Sequence, residues 1–319
     1  MTIGAALAAA ALPVAAQDAG RPIRLLVGFA PGGGADMVAR VIADKLRGVL
    51  NQPVIVENRA GAGGRLASEA LKNAPPDGLT YMVAPNATAV FQHLLYSPAV
   101  LKYDQLADLT PVATLTTYPL ALAVNAKTGI GDLKQFVAWV KANPKQANFG
   151  TAGLGGHTHF SGEQLGKATG VDLVAVPYRG NGPLVTDLVG GQLPVGILVA
   201  GDIVQHQKSG TVKVIGVLGA KRSPLLPEVP TLKEQGVDLD TGDAWMGLWA
   251  NAKTPKAELD RMQAAVRQVL AMPDVRETLA GRATMNPEFR GAVETDQALR
   301  REIGYWGQVI KASGFTPDQ

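Results

Sequence analysis

The chain of 319 residues contains no cysteine. Disulfides, zinc–thiolate sites and cysteine nucleophiles are excluded, and a chain without thiols suits an exported bacterial protein. Clustered basic charge is also missing. The formal net charge is +3, and Lys221-Arg222 and Arg300-Arg301 are isolated pairs. Nucleic-acid binding needs a concentrated basic face, so no nucleic-acid partner is expected. There is no G-x-x-x-x-G-K-[ST] and no G-x-S-x-G. The G-x-G triplets at Gly32/Gly34, Gly61/Gly63 and Gly153/Gly155 carry Met37, Leu66 and Thr158 at the third fingerprint position. A dinucleotide site is therefore not supported, and no cofactor is expected. Beyond the N-terminus no apolar run is long enough to span a bilayer.

What remains is a globular composition, 46% hydrophobic with 37 glycines and 21 prolines, in a chain longer than one hydrophobic core usually serves. Residues Ile3–Ala16 are apolar, Ala-rich and too short to cross a membrane. Val14-Ala15-Ala16 ahead of Gln17 fits a signal-peptidase site. Residues 1–16 are read as an export signal with a truncated start, because no Lys or Arg precedes the apolar run.

The segment Leu25–Leu46 is the most informative. An apolar strand (Leu25, Leu26, Val27) leads into Pro31-Gly32-Gly33-Gly34, and Met37, Val38, Val41, Ile42 and Leu46 follow at helical spacing. Glycines between a strand and a helix N-terminus expose backbone N–H groups at the positive end of the helix dipole, so an anion is expected there. Further strands are predicted at 53–57, 80–84, 120–124, 148–151, 174–177, 193–199, 212–218 and 245–250. Helices are predicted at 66–72, 133–142, 158–169, from Pro183, at 257–272 and at 292–312. Residues 85–88 read as a polar loop, and 152–156 as a second glycine-rich turn. Strand–helix alternation predicts an α/β fold with mostly parallel sheets, whose ligands bind beyond the carboxyl ends of the strands. Lobe 1 is expected to comprise residues 21–118 and 219–319, and lobe 2 residues 119–218. Two crossings, near 115–120 and 216–220, would form a hinge with a cleft between the lobes.

Several side chains have two readings. His157 and His159 have the alternation of metal ligands on a strand, but they open a helix, where positions two apart diverge. Cleft lining is favoured over metal binding. Asp36, in the first turn of its helix, is read as dipole complement or cap. Asp202 either faces the cleft or makes a turn. Arg179, after Tyr178, either pairs with a ligand carboxylate or is simply exposed. Trp245 is read as hinge or core packing.

The motifs IRLLVGFAPGGGAD (23–36), QPVIVENRAGAGG (52–64), PPDG (75–78), FGTAGLGGHTH (149–159), VPYRGNGPLVTDLVGGQ (176–192), AKRSPLLPEVPTLKEQG (220–236) and WMGL (245–248) together resemble the Bug family, the substrate-binding proteins of tripartite tricarboxylate transporters. The resemblance implies a two-lobed periplasmic flytrap of a Gram-negative bacterium. Such a protein is a monomer without catalytic residues that holds a small organic carboxylate and serves membrane transporter subunits or a sensor. Carried over, the first jaw is Phe29, Ala30, Pro31, Gly32 and Gly33 with Asn86, Ala87 and Thr88. The second is Thr151, Ala152 and Gly153 with His157 and Thr158. Tyr178, Arg179 and Gly180 add to the wall, and Asp202 takes a cleft-facing position. The chain departs from the family pattern at Gly28 (commonly proline), Ala35 (threonine), Gln92-His93 (Asn-Pro), and Gly156 and His157 (small hydroxyl residues). The second jaw is thus expected to be bulkier and more basic, with a ligand acceptor near His157, such as an aromatic or second carboxylate would supply. The other reading is an α/β enzyme acting on a small anionic metabolite, which shares helix-terminal anion sites.

Overall fold

A computed structural model describes residues 20–239 and 241–317; the expected export signal lies outside the described residues. The first part of the chain runs β1 (Ile23–Val27), α1 (Gly34–Leu50), β2 (Val54–Asn58), α2 (Arg65–Asn73), β3 (Thr80–Pro85), α3 (Asn86–Leu95), the short helices α4 (Pro98–Leu101) and α5 (Gln105–Asp108), and β4 (Leu109–Tyr118). The middle is β5 (Leu120–Asn125), α6 (Leu133–Ala142), β6 (Asn148–Thr151), α7 (His157–Thr169), β7 (Val174–Pro177), α8 (Asn181–Gly190), β8 (Val195–Val199), α9 (Ala200–Lys208) and β9 (Val212–Val217). The last part is β10 (Ala244–Asn251), α10 (Lys256–Ala271), α11 (Pro273–Gly281), β11 (Asn286–Gly291) and α12 (Ala292–Ser313).

These strands form two sheets, a six-stranded one ordered β11-β4-β10-β3-β1-β2 and a five-stranded one ordered β7-β6-β8-β5-β9. Both are mixed, not mostly parallel as expected. The contiguous strand–helix units pair in parallel (β1 with β2 and β3, β6 with β7 and β8), whereas β10, β11, β5 and β9 make antiparallel pairings. Of these, β5 and β10 are the strands by which the chain enters each sheet after crossing from the other. The chain leaves the first sheet at Tyr118 and enters the second at Leu120, then re-enters the first at Ala244. The sequence places that return near 216–220. However, Leu226, Val229, Leu232 and Leu239 pack into the second sheet's clusters, and Thr231 bridges to Val217.

Both sheets are covered on both faces. On β10, Met246, Leu248 and Ala250 enter one core cluster while Trp245 and Trp249 enter the other. That is the two-residue alternation of a strand buried on both sides. On α1, Ala35, Val38, Ala39, Ile42, Ala43 and Leu46 form the buried stripe, and the helix stops at Asn51, whose left-handed backbone returns an N–H to Arg47. The 85–88 segment is not a loop. Pro85 is the N-cap of α3, so β3 runs straight into a helix. Pro183 is the third residue of α8, not the first. The tail beyond 219 contributes two strands and three helices, where one strand and two helices are expected.

Candidate functional site

Because β1 and β3 are parallel neighbours, their carboxyl ends share one edge of the first sheet; those of β6, β7 and β8 share one edge of the second. A cavity of about 770 Å³ lies between the two sets of strand ends. Five helices begin at its wall, marked by Gly34 (α1), Pro85 (α3), Gly156 (α7), Gly180 (α8) and Val199 (α9). Among the described residues no side chain caps any of the five. An uncapped N-terminus leaves backbone N–H groups without intrahelical partners, and each carries the positive end of its dipole. No lysine or arginine lines the cavity among the described residues. The wall is therefore positive through backbone amides.

The first jaw is held from behind. Asp36, 3% exposed, accepts bonds from the Gly32 amide (2.9 Å), Arg40 Nε (2.9 Å) and Asn58 Nδ2 (2.8 Å). Burial works to raise its carboxyl, but the bonds from Arg40, Gly32 and Asn58 outweigh it and keep it below the usual carboxylate range. Asn58 Nδ2 also donates to the Phe29 carbonyl at 3.1 Å. The PGGG turn is thus pinned at both ends by side chains that do not line the cavity. A Cβ at Gly28 would lie 2.5 Å from Gly64 Cα, so glycine lets the first turn press against the second. That second turn is tied to α3 by Thr88 Oγ1 and Gln92 Nε2, which donate to the Gly63 carbonyl at 3.2 and 2.8 Å.

Asn86, the first residue of α3, is buried beneath the wall. Its Nδ2 donates to Glu302 Oε2 at 2.7 Å, and its Oδ1 accepts from the Trp245 backbone N–H at 3.1 Å. Trp245 Nε1 donates to Glu302 Oε1 at 2.6 Å. Burial pushes the Glu302 carboxyl up to about 7, against the pull of the two donors.

The second jaw closes on itself. Thr151 Oγ1 donates to the Gly153 carbonyl at 3.1 Å and pairs with Thr158 Oγ1 at 2.7 Å, which accepts from the Ala152 amide at 3.2 Å. His157 is bulky but not basic, contrary to expectation. Its Nε2 lies 3.1 Å from the Thr241 carbonyl, which can only accept, so the proton is assigned to Nε2. Burial lowers its pKa to about 4, so the ring is neutral at pH 7. It packs edge-on against Trp306 with centroids 5.1 Å apart. Its N–H is committed to the protein and is not offered to a ligand acceptor. His159 turns elsewhere: Nδ1 accepts from the Gly155 amide and Nε2 lies 3.3 Å from Glu163. Among the described residues no group of three acidic or histidine side chains is placed to hold a metal ion.

Of the residues expected at the site, Phe29, Ala87, Thr88, Ala152, Gly153, His157, Thr158, Gly180 and Asp202 line the cavity. Ala30, Pro31, Gly32, Gly33, Asn86, Thr151, Tyr178 and Arg179 are not in its wall. Tyr178 donates its hydroxyl to Asp187 at 2.9 Å, and Arg179 is exposed. The wall also includes Tyr118, Asn181, Thr284, Met285 and Phe315, which sequence reading missed. Asn181 opens α8 inside the 176–192 motif, next to the predicted Gly180, whereas Tyr118 reaches the cleft beside the crossing between sheets and Thr284, Met285 and Phe315 through the returning tail, where no local pattern marks them.

Comparison with known proteins agrees with this architecture. Residues 38–315 match the family described as the tripartite tricarboxylate transporter family receptor. Protein BugT of Bordetella pertussis is 32% identical over 310 residues, covering 97% of this chain and 94% of BugT. MatC of Rhodopseudomonas palustris, solved with bound malate, superposes with a TM-score of 0.78 at 32% identity, covering 91% of this chain and 98% of MatC. The periplasmic binding protein BugD superposes with a TM-score of 0.79 at 27% identity, covering 93% of this chain and 99% of BugD. The α/β fold with two mixed sheets is that of the periplasmic binding proteins, and this chain is a member of the tripartite tricarboxylate transporter receptor family.

Proposed function

We propose that this protein is a non-catalytic periplasmic receptor that captures a small organic carboxylate in its cleft and presents it to a membrane transporter. The observation that carries this reading is the convergence of five uncapped helix N-termini on one cavity without a lysine or arginine in its wall. Such a wall binds an anion by charge-assisted bonds from backbone amides, roughly twice as strong as neutral ones. MatC, with its bound malate, supports a carboxylate as the anion. No helix among the described residues is long and apolar enough to cross a membrane.

The working parts are two lobes. One comprises residues 21–118 with the chain from Ala244 onward, and the other residues 119–239, hinged at Pro119 and at 241–243. The ligand-facing residues are Phe29, Ala87, Thr88, Ala152, Gly153, Thr158, Gly180 and Asp202. The buried Asp36, Asn86 and Thr151 hold the jaws in shape. A thermal-shift screen of mono- and dicarboxylates, aromatic acids and amino acids should raise the melting temperature with a narrow set of them, by an amount that grows with the logarithm of ligand excess over Kd. Chemical conversion of a bound compound, followed by NMR, would favour the α/β enzyme instead.

A further inference from the structure

We propose that the ligand carries an ammonium group beside its carboxylate, making it an amino carboxylate, and that Asp202 receives that group. This rests on the carboxylate-receptor reading above. Asp202 is the one charged side chain in the cavity wall among the described residues. It stands in the first turn of α9 and is exposed to the cleft. An acid at a helix N-terminus complements the dipole. That does not account for a carboxylate in the wall of a cavity built to attract an anion, where like charges repel more strongly than in water.

Asp202 and its neighbour Asn181 leave acceptor atoms at this end of the cavity. Asn181 Nδ2 donates to Asp202 Oδ2 at 2.7 Å, which fixes the carboxylate on the start of α8. Asn181 Oδ1 is buried without a hydrogen-bond partner among the described residues. Tyr118, buried in the same wall, feels the charges of both Asp202 and Glu302. The cleft is thus polarised. No carboxylate stands in the wall at the ends of α1, α3 and α7, where Asp36 and Glu302 lie behind it, while Asp202 in the wall offsets the ends of α8 and α9. An ammonium brings three donors and no acceptor, which matches the Asp202 end, and the ligand's carboxylate matches the other. A dicarboxylate would bring acceptors to both ends. Although Asp202 opens to the cleft, the surrounding protein shields it from bulk water and raises its carboxyl above the ordinary range, with the Asn181 bond working against it; a bound cation would lower it.

The test is calorimetric titration of the purified protein and of Asp202→Asn with short straight-chain monocarboxylates, their amino-substituted counterparts and dicarboxylates of equal length. Thermal unfolding without ligand checks that the variant is folded. The wild type should bind an amino-substituted acid at least about tenfold more tightly than its unsubstituted parent. Asp202→Asn should abolish that difference and improve dicarboxylate binding. Carbon NMR should show the Asp202 carboxyl titrating at lower pH once the ligand is bound. Tightest wild-type binding to a dicarboxylate or an unsubstituted acid, or an undiminished amino preference in Asp202→Asn, would overturn the inference while leaving the receptor reading intact. Failure of every carboxylate to bind would overturn the receptor reading, and this inference with it.

Discussion

Asn86 and Glu302, 216 positions apart in sequence, are joined by a 2.7 Å bond beneath the first jaw. The bond couples the first residue of α3 to the C-terminal helix. Glu302 accepts a second bond from Trp245 on β10, so one carboxylate aligns a jaw helix, the strand by which the chain re-enters the first sheet, and α12. Its pKa is raised from 4.5 to about 7 by burial. The folded state therefore holds this proton more tightly than the unfolded chain. Its contribution to stability is fully present below pH 4.5 and is lost as pH rises through 7, worth roughly 3 kcal/mol across that window. Glu302→Gln should flatten this part of the stability profile, which urea unfolding at several pH values would show as a difference from wild type.

His157 works with the opposite sign. Burial lowers its pKa from 6.5 to about 4, so the unfolded chain binds the proton more readily between those values. Stability present above pH 6.5 is lost as pH falls toward 4, again by roughly 3 kcal/mol. His157→Phe keeps the packing on Trp306 but removes both the titration and the bond to Thr241. It should lose about 1 kcal/mol at pH 7 and resist acid better than wild type below pH 6. A variant as acid-sensitive as wild type would show that another group titrates.

Asp36 shapes the anion site without lining it. Asp36→Ala frees the Gly32 amide, Arg40 and Asn58 together. Loss of bonds that buried groups need costs about 1–3 kcal/mol. The melting temperature should fall, and ligand affinity should fall further than the stability loss alone explains. Amide hydrogen exchange over residues 29–36 should speed up in the variant, whereas an unchanged rate would show the turn to be self-supporting.

Gly201 on α9 faces Thr284, and a Cβ there would collide with Thr284 Oγ1 and its backbone. Thr284 already has φ +53, a region a β-branched residue rarely adopts. Here α9, beside the second sheet, meets the segment between α11 and β11, beside the first. Gly201→Ala should hold them apart, lowering ligand affinity by about tenfold or more, and small-angle scattering with ligand should show a larger radius of gyration than liganded wild type. Equal radii would mean that Thr284 yields.

Parts of this arrangement are legible in the sequence because they are local. The strand, glycine turn and amphipathic stripe of α1 sit within one stretch, and so does the Thr151–Thr158 turn. β4 was invisible because its run LTPVATLTTY buries threonines (Thr114 and Thr116 are fully buried) and includes Pro111, so no apolar signal marks it. The start of α3 was misread because Pro85-Asn86 resembles a turn, yet that proline is the N-cap. Nothing local in the sequence singles out Glu302, since its burial depends on Asn86 and Trp245. His157 looked like an added positive charge. Its neutrality follows from Thr241 and Trp306, which only the fold brings near.

The central claim is that backbone amides at uncapped helix N-termini grip a carboxylate. The most direct test is titration calorimetry with the tightest carboxylate found in the screen and with its primary amide, a neutral analogue of nearly the same shape. The account predicts that the amide binds at least about a hundredfold more weakly, because a charge-assisted grip is lost. Equal affinity of acid and amide would contradict it.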